Sequence, residues 1–165
     1  MIRISSFVAS TTLLLFLCTA TGMRSAVYID EVTFWRDAAL KSPAKARPLT
    51  MLGYQSQKAG DDEAAKRYFE RAVELQPDYP EALNDLAVIY GKSSKRDKAL
   101  ELLQRAVRSA PHSLTFRSNL AMMYYSNGMF DESAHEYTII IASEPRSPEA
   151  AFAQQMLHEM GKAAL

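Results

Sequence analysis

The sequence predicts an all-α solenoid, in which short helical pairs stack one after another along the chain. Pro77, Pro111 and Pro145 stand 34 residues apart. Between these prolines, matching positions hold matching residue types over residues 46–147. Apolar residues also recur at helical spacing within each unit. Helical units this short cannot bury their apolar faces alone, so each is expected to pack against its neighbours.

The repeating unit divides the central chain into three copies, 46–79, 80–113 and 114–147. The seventh position of each copy is leucine, the eighth is glycine or alanine, and the twenty-fourth is a large side chain. A small residue lets two helices approach closely, and a large one fills the groove between side-chain ridges. The residues at these positions are Leu52, Leu86 and Leu120; Gly53, Ala87 and Ala121; and Phe69, Leu103 and Tyr137.

This period, with its alternation of small and large residues, resembles the tetratricopeptide repeat (TPR), a helix–turn–helix unit of 34 residues. The resemblance covers about two thirds of the chain. It implies a right-handed α-α superhelix of three full repeats. An N-terminal half-repeat over 25–45 and a C-terminal capping helix over 148–165 would complete the array.

Turn and capping residues divide each unit into two helices. Gly60 has no side chain and therefore permits the left-handed backbone that ends a helix. Asp61 and Asp62 follow it as an N-cap and a favourable first-turn charge. Gly128 occupies the same position in the third copy. The second copy has Ser94 there, so we expect its loop to be less tightly specified.

The third copy departs from the pattern at Arg117, Ser133 and Ile140, where leucine or alanine is expected. Ile140 stands at a position of close helix packing, so we expect it to separate the two helices or to bend the stack locally. From Pro148 the tail restarts as a first helix, but it becomes polar from Gln154 onward. A polar outer face is typical of a helix that caps a repeat array.

The N-terminal segment, 1–24, is predicted to be either a signal peptide or a membrane anchor. Residues 4–23 carry no charge. A basic start, an apolar centre and small residues before a cleavage point after Gly22 fit a signal peptide. As an uncleaved helix, the segment just reaches across about 30 Å of hydrocarbon, although its seven hydroxyl-bearing residues weaken that interpretation. Both interpretations predict a membrane-anchored or exported chain, with its repeats outside the cytoplasm, in the periplasm or at the cell surface.

Residues 25–45 are predicted to form the second helix of an incomplete unit, with Trp35 at its twenty-fourth position. We expect Trp35 to be a core aromatic residue that covers the first repeat. The sequence EVTFWRDAALKSPAKARP, followed by LTMLGY, also resembles the junction of bacterial membrane proteins with C-terminal TPRs, such as O-mannosyltransferase-like proteins. That resemblance favours an anchor. It also implies an alternative role, as the detached repeat arm of a membrane glycosyltransferase-like protein.

Composition and motifs argue against an enzyme or a nucleic-acid-binding protein. Nineteen basic and nineteen acidic residues leave no net charge to attract nucleic acid. The one cysteine, Cys18, lies in the N-terminal segment, so the repeats contain no thiolate nucleophile or cysteine metal site. His112, His135 and His158 occupy unrelated positions of the repeat, and the chain has no Gly-rich phosphate loop. We therefore expect no catalytic residues, no metal and no cofactor.

In TPR proteins the first helices line a concave groove that accepts a peptide or a helix of a partner protein, so the resemblance implies a protein or peptide partner here. The groove uses positions 2, 5, 6, 9, 12 and 13 of each unit. At these positions the chain has Arg47, Thr50, Met51, Tyr54, Lys58, Asn84, Asp85, Val88, Lys92, Ser118, Asn119, Met122 and Tyr125, together with Gln57, Glu81, Gly91, Thr115 and Ser126.

Two features of this predicted groove bear on its ligand. Tyr54 and Tyr125 are candidate anchors, because tyrosine buries a large area and keeps a polar group. The family's clamp for a C-terminal carboxylate needs lysine and asparagine at defined places. Thr50 and Tyr54 replace the first such pair, and Asp85 replaces a further asparagine. The sequence therefore predicts a groove that does not bind a terminal carboxylate.

Overall fold

The computed structural model describes residues 31–93 and 95–163. All regular secondary structure in these residues is helical, which confirms the predicted all-α class. Helix α1 covers residues 31–41. The helices that follow are α2 (Ala46–Lys58), α3 (Asp62–Leu75), α4 (Pro80–Lys92), α5 (Arg96–Ser109), α6 (Leu114–Ser126), α7 (Phe130–Ser143) and α8 (Pro148–Ala163).

The chain divides into two compact units, Met1–Pro43 and Ala44–Leu165. In the first unit, the rings of Phe34 and Trp35 meet edge to face at 4.9 Å between centroids. The role predicted for Trp35, as a cover for the first repeat, stays a prediction. The segment 1–24, predicted to be a signal or an anchor, lies outside the described residues. Among the helices that the structure does describe, none is both long and apolar enough to cross a membrane.

The second unit is built from successive helical pairs. Helices α2 and α3, α4 and α5, and α6 and α7 pack against each other, and α8 packs against α7. The first helices also contact one another in series, from α2 to α4, α6 and α8. The second helices α3, α5 and α7 make no such contacts with one another among the described residues. A stack in which only the first helices touch curves toward them, so their free face is the inner face of the array.

The turns of the first and third repeats have the predicted geometry. Gly60 and Gly128 adopt φ values of +81° and +76°, in the left-handed region that favours glycine. Asp61 caps α3, because its carboxylate accepts a hydrogen bond from the Ala64 backbone N–H at 2.8 Å. Ser94 itself lies outside the described residues.

One backbone hydrogen bond closes the turn in all three repeats. In each case the N–H of the residue after the turn position donates to the carbonyl five residues earlier, at 2.9 to 3.1 Å. The pairs are Asp61 with Ser56, Lys95 with Tyr90, and Met129 with Tyr124. The second repeat therefore keeps the same closure without a glycine in its turn.

The small and large residues of the repeat meet as predicted in the first repeat. The Phe69 ring is fully buried and lies over Gly53 of the preceding helix. A Cβ atom at Gly53 would lie 2.5 Å from Cε1 of Phe69. This close approach explains the glycine, since any larger residue would collide with a ring that has no free space around it.

The third repeat accommodates its unusual residues through polar partners and small neighbours. Ile140 is fully buried in a cluster that includes Ala150 and Ala153 of α8, whose short side chains leave room for it. The Ser133 hydroxyl donates to the Ala121 carbonyl at 2.9 Å. These contacts join α6, α7 and α8 in a second apolar cluster.

Arg117 of the third repeat forms an ion pair that connects its two helices. Its Nη1 lies 2.6 Å from Oε2 of Glu136, and the two side chains are only 15% and 13% exposed. The Nε of Arg117 also donates to the Pro111 carbonyl at 2.9 Å. A charged side chain can therefore replace the expected leucine, because its charge is paired and its donors are used.

Candidate functional site

The inner face of the first helices exposes apolar side chains at one position of the repeat. Tyr54, Val88 and Met122, each at the ninth position, are 45%, 37% and 48% exposed. We call these three residues the ninth-position stripe. Since they repeat once per unit on α2, α4 and α6, they form a line across three adjacent helices.

Exposed large apolar residues are concentrated on this face. In the described part of the second unit there are six of them, and five lie on first helices. Besides the stripe these are Tyr125 on α6 and Phe152 on α8, whereas Phe130 lies on α7. A random distribution of exposed apolar residues would need no explanation, but concentration on one face indicates an interaction surface.

A chain of polar side chains crosses the middle of the same face. Nδ2 of Asn119 donates to Oδ1 of Asn84 at 2.7 Å, and Nδ2 of Asn84 donates to Oδ1 of Asp85 at 3.0 Å. Asn84 is 6% exposed, so its amide is satisfied within the protein. The two hydrogen bonds fix the side chains of α4 and α6 relative to each other and orient the Asp85 carboxylate.

The Asp85 carboxyl has a perturbed proton affinity. Burial raises its pKa, since the charged form loses solvation. The hydrogen bond from Asn84 acts in the opposite direction, and the charge of Glu81, one turn away, raises the pKa further. A carboxylate with this environment is costly to ionise, although the side chain is not fully buried.

The remaining predicted groove residues differ in their access to a partner. Thr50 is 4% exposed, and its hydroxyl donates to the Ala46 carbonyl at 3.1 Å, so its side chain is buried within the array. Met51, Ser118 and Asn119 are half-buried. Arg47 is exposed.

Two lysines stand at the thirteenth position, where α2 and α4 end. Lys92 forms an ion pair with Asp62 at 3.0 Å. Lys58 lies over the Tyr54 ring, with its Nζ 5.5 Å from the centroid. Both cations therefore already have partners within the array.

The structure adds two aromatic residues that the sequence-based groove did not include. Phe130 meets Tyr125 edge to face at 5.5 Å, and Phe152 meets Tyr137 at 6.2 Å. Phe152 stands at the fifth position of the unit that begins at Pro148, so continuing the repeat numbering past 147 would have found it. Phe130 lies on a second helix, and the repeat positions give no signal for it.

Side chains that could hold a metal do not converge in the described part of the chain. No group of three or more histidine, cysteine, aspartate or glutamate side chains has the required arrangement there. The three histidines, His112, His135 and His158, are all exposed.

Comparison with protein families identifies the repeat. A family model described as "Tetratricopeptide repeat" matches residues 50–113 and 88–148, which together cover more than half of the chain. Solved structures share the fold. A crystal structure of MamA superposes with a TM-score of 0.64 at 17% identity, covering 87% of this chain and 95% of that one. YrrB, described as "a TPR protein with an unusual peptide-binding site", gives a TM-score of 0.65 at 20% identity, covering 86% and 74%.

Curated relatives match over shorter stretches. The photosystem I assembly protein Ycf3 of Rippkaea orientalis is 37% identical over 68 residues, 33% of this chain and 39% of that protein. An uncharacterised protein, ycf37, of Porphyra purpurea is 32% identical over 89 residues, 52% and 51% of the two chains. Ycf3 of Prochlorococcus marinus is 29% identical over 79 residues, 46% of each. The chain thus spans about half or less of the length of these relatives.

The localisation predicted from the sequence is wrong. A membrane-anchored or exported chain with repeats outside the cytoplasm was expected. Two of the three curated relatives above are instead named photosystem I assembly proteins, and this finding contradicts the predicted export. None of the relatives or solved structures above is named as a glycosyltransferase, so the comparisons do not support the alternative role as a detached arm of such a protein.

The repeat period and the helical pairs agree with the matched family model and with the solved folds. The chain belongs to the tetratricopeptide repeat family and is a protein-interaction scaffold of that kind.

Proposed function

We propose that this chain is a non-enzymatic scaffold that holds a segment of a partner protein against the inner face of α2, α4 and α6. The observation that supports this most directly is the ninth-position stripe. Tyr54, Val88 and Met122 expose apolar surface at the same position in three successive repeats. Exposed apolar surface concentrated in this way gains free energy when a partner covers it.

The shape of this face favours a segment of chain over a small molecule. The stripe crosses three neighbouring helices, and packed helices lie about 8–10 Å apart. A ligand that touches all three side chains must therefore span about 20 Å, which is the length of roughly six extended residues. YrrB, a protein of the same fold, is itself described as having a peptide-binding site.

Tyr54 and Tyr125 are the residues that we propose as anchors. Each is partly exposed, at 45% and 37%, so its ring is free to bury further area against a partner. The Tyr125 ring is held edge to face by Phe130 at 5.5 Å. An aromatic ring that is already oriented loses little side-chain entropy when it is buried at an interface.

Site-specific photo-crosslinking in the native host tests this proposal. A photoreactive phenylalanine analogue replaces Val88 on the inner face or, as a matched control, Glu101, an exposed residue of α5. We expect Val88 to give a discrete crosslinked protein that Glu101 does not give. The double variant Tyr54→Ala/Tyr125→Ala should abolish that product. Equal crosslinking from both positions, or a product that survives the double substitution, would contradict binding at the inner face.

A second candidate role is assembly of a membrane-protein complex. Two curated relatives carry the name photosystem I assembly protein. Assembly requires temporary binding of an exposed segment of an unassembled subunit, which the stripe could provide. Expression of this chain in Rippkaea orientalis deleted for its Ycf3 gene tests this role. Restored photosystem I content would support it, whereas no recovery from a stably expressed chain would count against it.

A further inference from the structure

We infer that the partner segment carries a lysine or arginine side chain flanked by apolar side chains, and that Glu81 and Asp85 together receive its positive charge. This inference rests on the proposed function and specifies the chemistry of the partner. It commits the inner face to a basic and apolar segment and excludes an acidic one.

The two carboxylates stand together in the middle of the groove. Glu81 and Asp85 are four residues apart on α4, so they lie on the same face of the helix. They occupy the second and sixth positions of the central repeat. Among the described residues, neither carboxylate forms an ion pair with a lysine or arginine. The charged side chain that acts on Asp85 is Glu81, of like sign.

Neither Arg47 nor Lys92 forms an ion pair with these two carboxylates. Burial and then the charge of Glu81 raise the pKa of the Tyr79 hydroxyl, and Arg47, at the second position of α2, lowers it. Arg47 makes no ion pair with Glu81. Lys92, at the other end of α4, is paired with Asp62 at 3.0 Å. The two carboxylates in the middle of the groove therefore have no ion-pair partner in the described part of the array.

Asp85 is also held in place for a ligand. Asn84 donates one hydrogen bond to Oδ1 at 3.0 Å, and Asn119 in turn orients Asn84 at 2.7 Å. A carboxylate has acceptor sites for about four donors, so most of its capacity remains available. A guanidinium or ammonium group would use this capacity. It would also relieve the repulsion between the two carboxylates, at a site where reduced solvent screening strengthens the attraction.

The apolar stripe passes directly beside the acidic pair. Val88 lies three residues after Asp85 on α4, and is therefore on the same face. Tyr54 and Met122 flank Val88 on α2 and α6. A basic side chain placed over Glu81 and Asp85 would thus position the neighbouring residues of the partner over the stripe, which is why we specify apolar flanking residues.

Selection from a random twelve-residue peptide library displayed on phage, with the full chain as the target, tests this inference. We expect the wild-type chain to enrich peptides that share a lysine or arginine between apolar residues. The variant Asp85→Lys should lose that preference and favour acidic peptides. Peptides enriched without any basic preference would overturn this inference and leave the proposed function standing. If no peptides are enriched by the folded wild-type chain, both are overturned.

Affinity measurements on one selected peptide supply the second readout. Asp85→Asn and Glu81→Gln should each weaken binding about tenfold, because a hydrogen bond to a charged group is lost or weakened. Glu101→Gln removes one negative charge from the outer face and is the matched control, with unchanged affinity expected. Circular dichroism confirms that each variant is folded. Equal affinities for Asp85→Asn, Glu81→Gln and Glu101→Gln would overturn the inference.

Discussion

At the scale of single residues, the tightest constraint is the contact between Gly53 and Phe69. A Cβ atom at position 53 would lie 2.5 Å from a fully buried ring. We expect Gly53→Ala to lower the free energy of unfolding by about 1–3 kcal/mol, since an overpacked core must shift its backbone or its rotamers. Urea denaturation followed by circular dichroism measures this change.

Gly161 supplies the control for that substitution. It is also a helical glycine, but a Cβ atom there would meet nothing within 4 Å. Gly161→Ala should therefore leave stability unchanged or raise it by up to about 1 kcal/mol, through helix propensity alone. If both substitutions change stability by the same amount, then the contact with Phe69 does not explain the glycine.

The raised pKa of Asp85 makes the folded state less stable at neutral pH than in acid, as far as this group contributes. Burial and the charge of Glu81 raise its pKa above the ordinary 3.8, so the folded state binds this proton more tightly than the unfolded state does. Stability due to this group is therefore lost as the pH rises through the raised pKa. We expect Asp85→Asn to be more stable than the wild type at neutral pH, and the gain to vanish below about pH 3.8.

Denaturant unfolding at several pH values measures this difference. Asp97, an exposed carboxylate at the start of α5, provides the matched substitution Asp97→Asn. The control should give no stability gain at neutral pH. A gain for Asp85→Asn that persists unchanged in acid would contradict the assignment to ionisation. A residue whose charge lowers stability is often retained for function, which agrees with a role in binding.

At the scale of elements, the ion pair between α6 and α7 should be strongly non-additive. Arg117 and Glu136 are 15% and 13% exposed. Glu136→Leu alone leaves a poorly solvated arginine without its counter-charge and should cost about 3 kcal/mol. The double variant Arg117→Leu/Glu136→Leu should recover most of that loss, since it restores the apolar residue expected at position 117. A double-mutant cycle on the free energy of unfolding measures the coupling.

The exposed ion pair of Arg71 and Glu74 gives a reference for this cycle. Its side chains are 61% and 63% exposed, although the distance of 2.7 Å is almost the same. Its coupling energy should lie within about 0.5 kcal/mol of zero, because solvent screens the charges. Similar coupling energies for the two pairs would show that burial does not strengthen the one between α6 and α7.

Features that depend on contacts within one repeat could be predicted from the sequence, whereas features that depend on contacts between two repeats could not. Helix ends, the turn at Gly60 and the small residue at Gly53 depend on contacts within one unit, and such contacts recur in the sequence. The hydrogen bond between Asn84 and Asn119 joins two units, and its partners stand 35 residues apart, one more than the repeat period. Register between neighbouring units depends on the twist of the stack, which no single unit specifies.

The same distinction explains the third repeat and the candidate site. The sequence predicts that Ile140 separates the two helices of its unit or bends the stack, whereas the small residues that pack with it, Ala150 and Ala153, lie in the next helix. Thr50 stands at a groove position of the repeat. In the structure, however, its side chain is buried and its hydroxyl donates a hydrogen bond to a backbone carbonyl of α2. The position of a residue within the repeat therefore predicts which helix face it occupies, but not how much of its side chain remains exposed.

At the scale of the whole molecule, stability should be distributed along the array, because each helical pair contacts only its neighbours. Helix α8 covers the last apolar face, where its Ala150 and Ala153 pack with Tyr137 and Ile140 of α7. We expect a chain that ends at Ser147 to lose hydrogen-exchange protection mainly in α6 and α7, with α2 to α5 protected nearly as in the full chain. Hydrogen exchange measured by mass spectrometry on both chains resolves the helices separately.

The substitution Ala153→Asp provides a control for this truncation, because it keeps the chain at full length. It places a carboxylate in a site with no exposed surface, so it should detach α8 and reproduce the same pattern of lost protection. Agreement between the truncated and the substituted chain would assign the effect to lost packing and not to the shorter chain. Uniform loss of protection from α2 to α7 in both would instead show that the array unfolds as one cooperative unit, because a local defect would then destabilise every repeat equally.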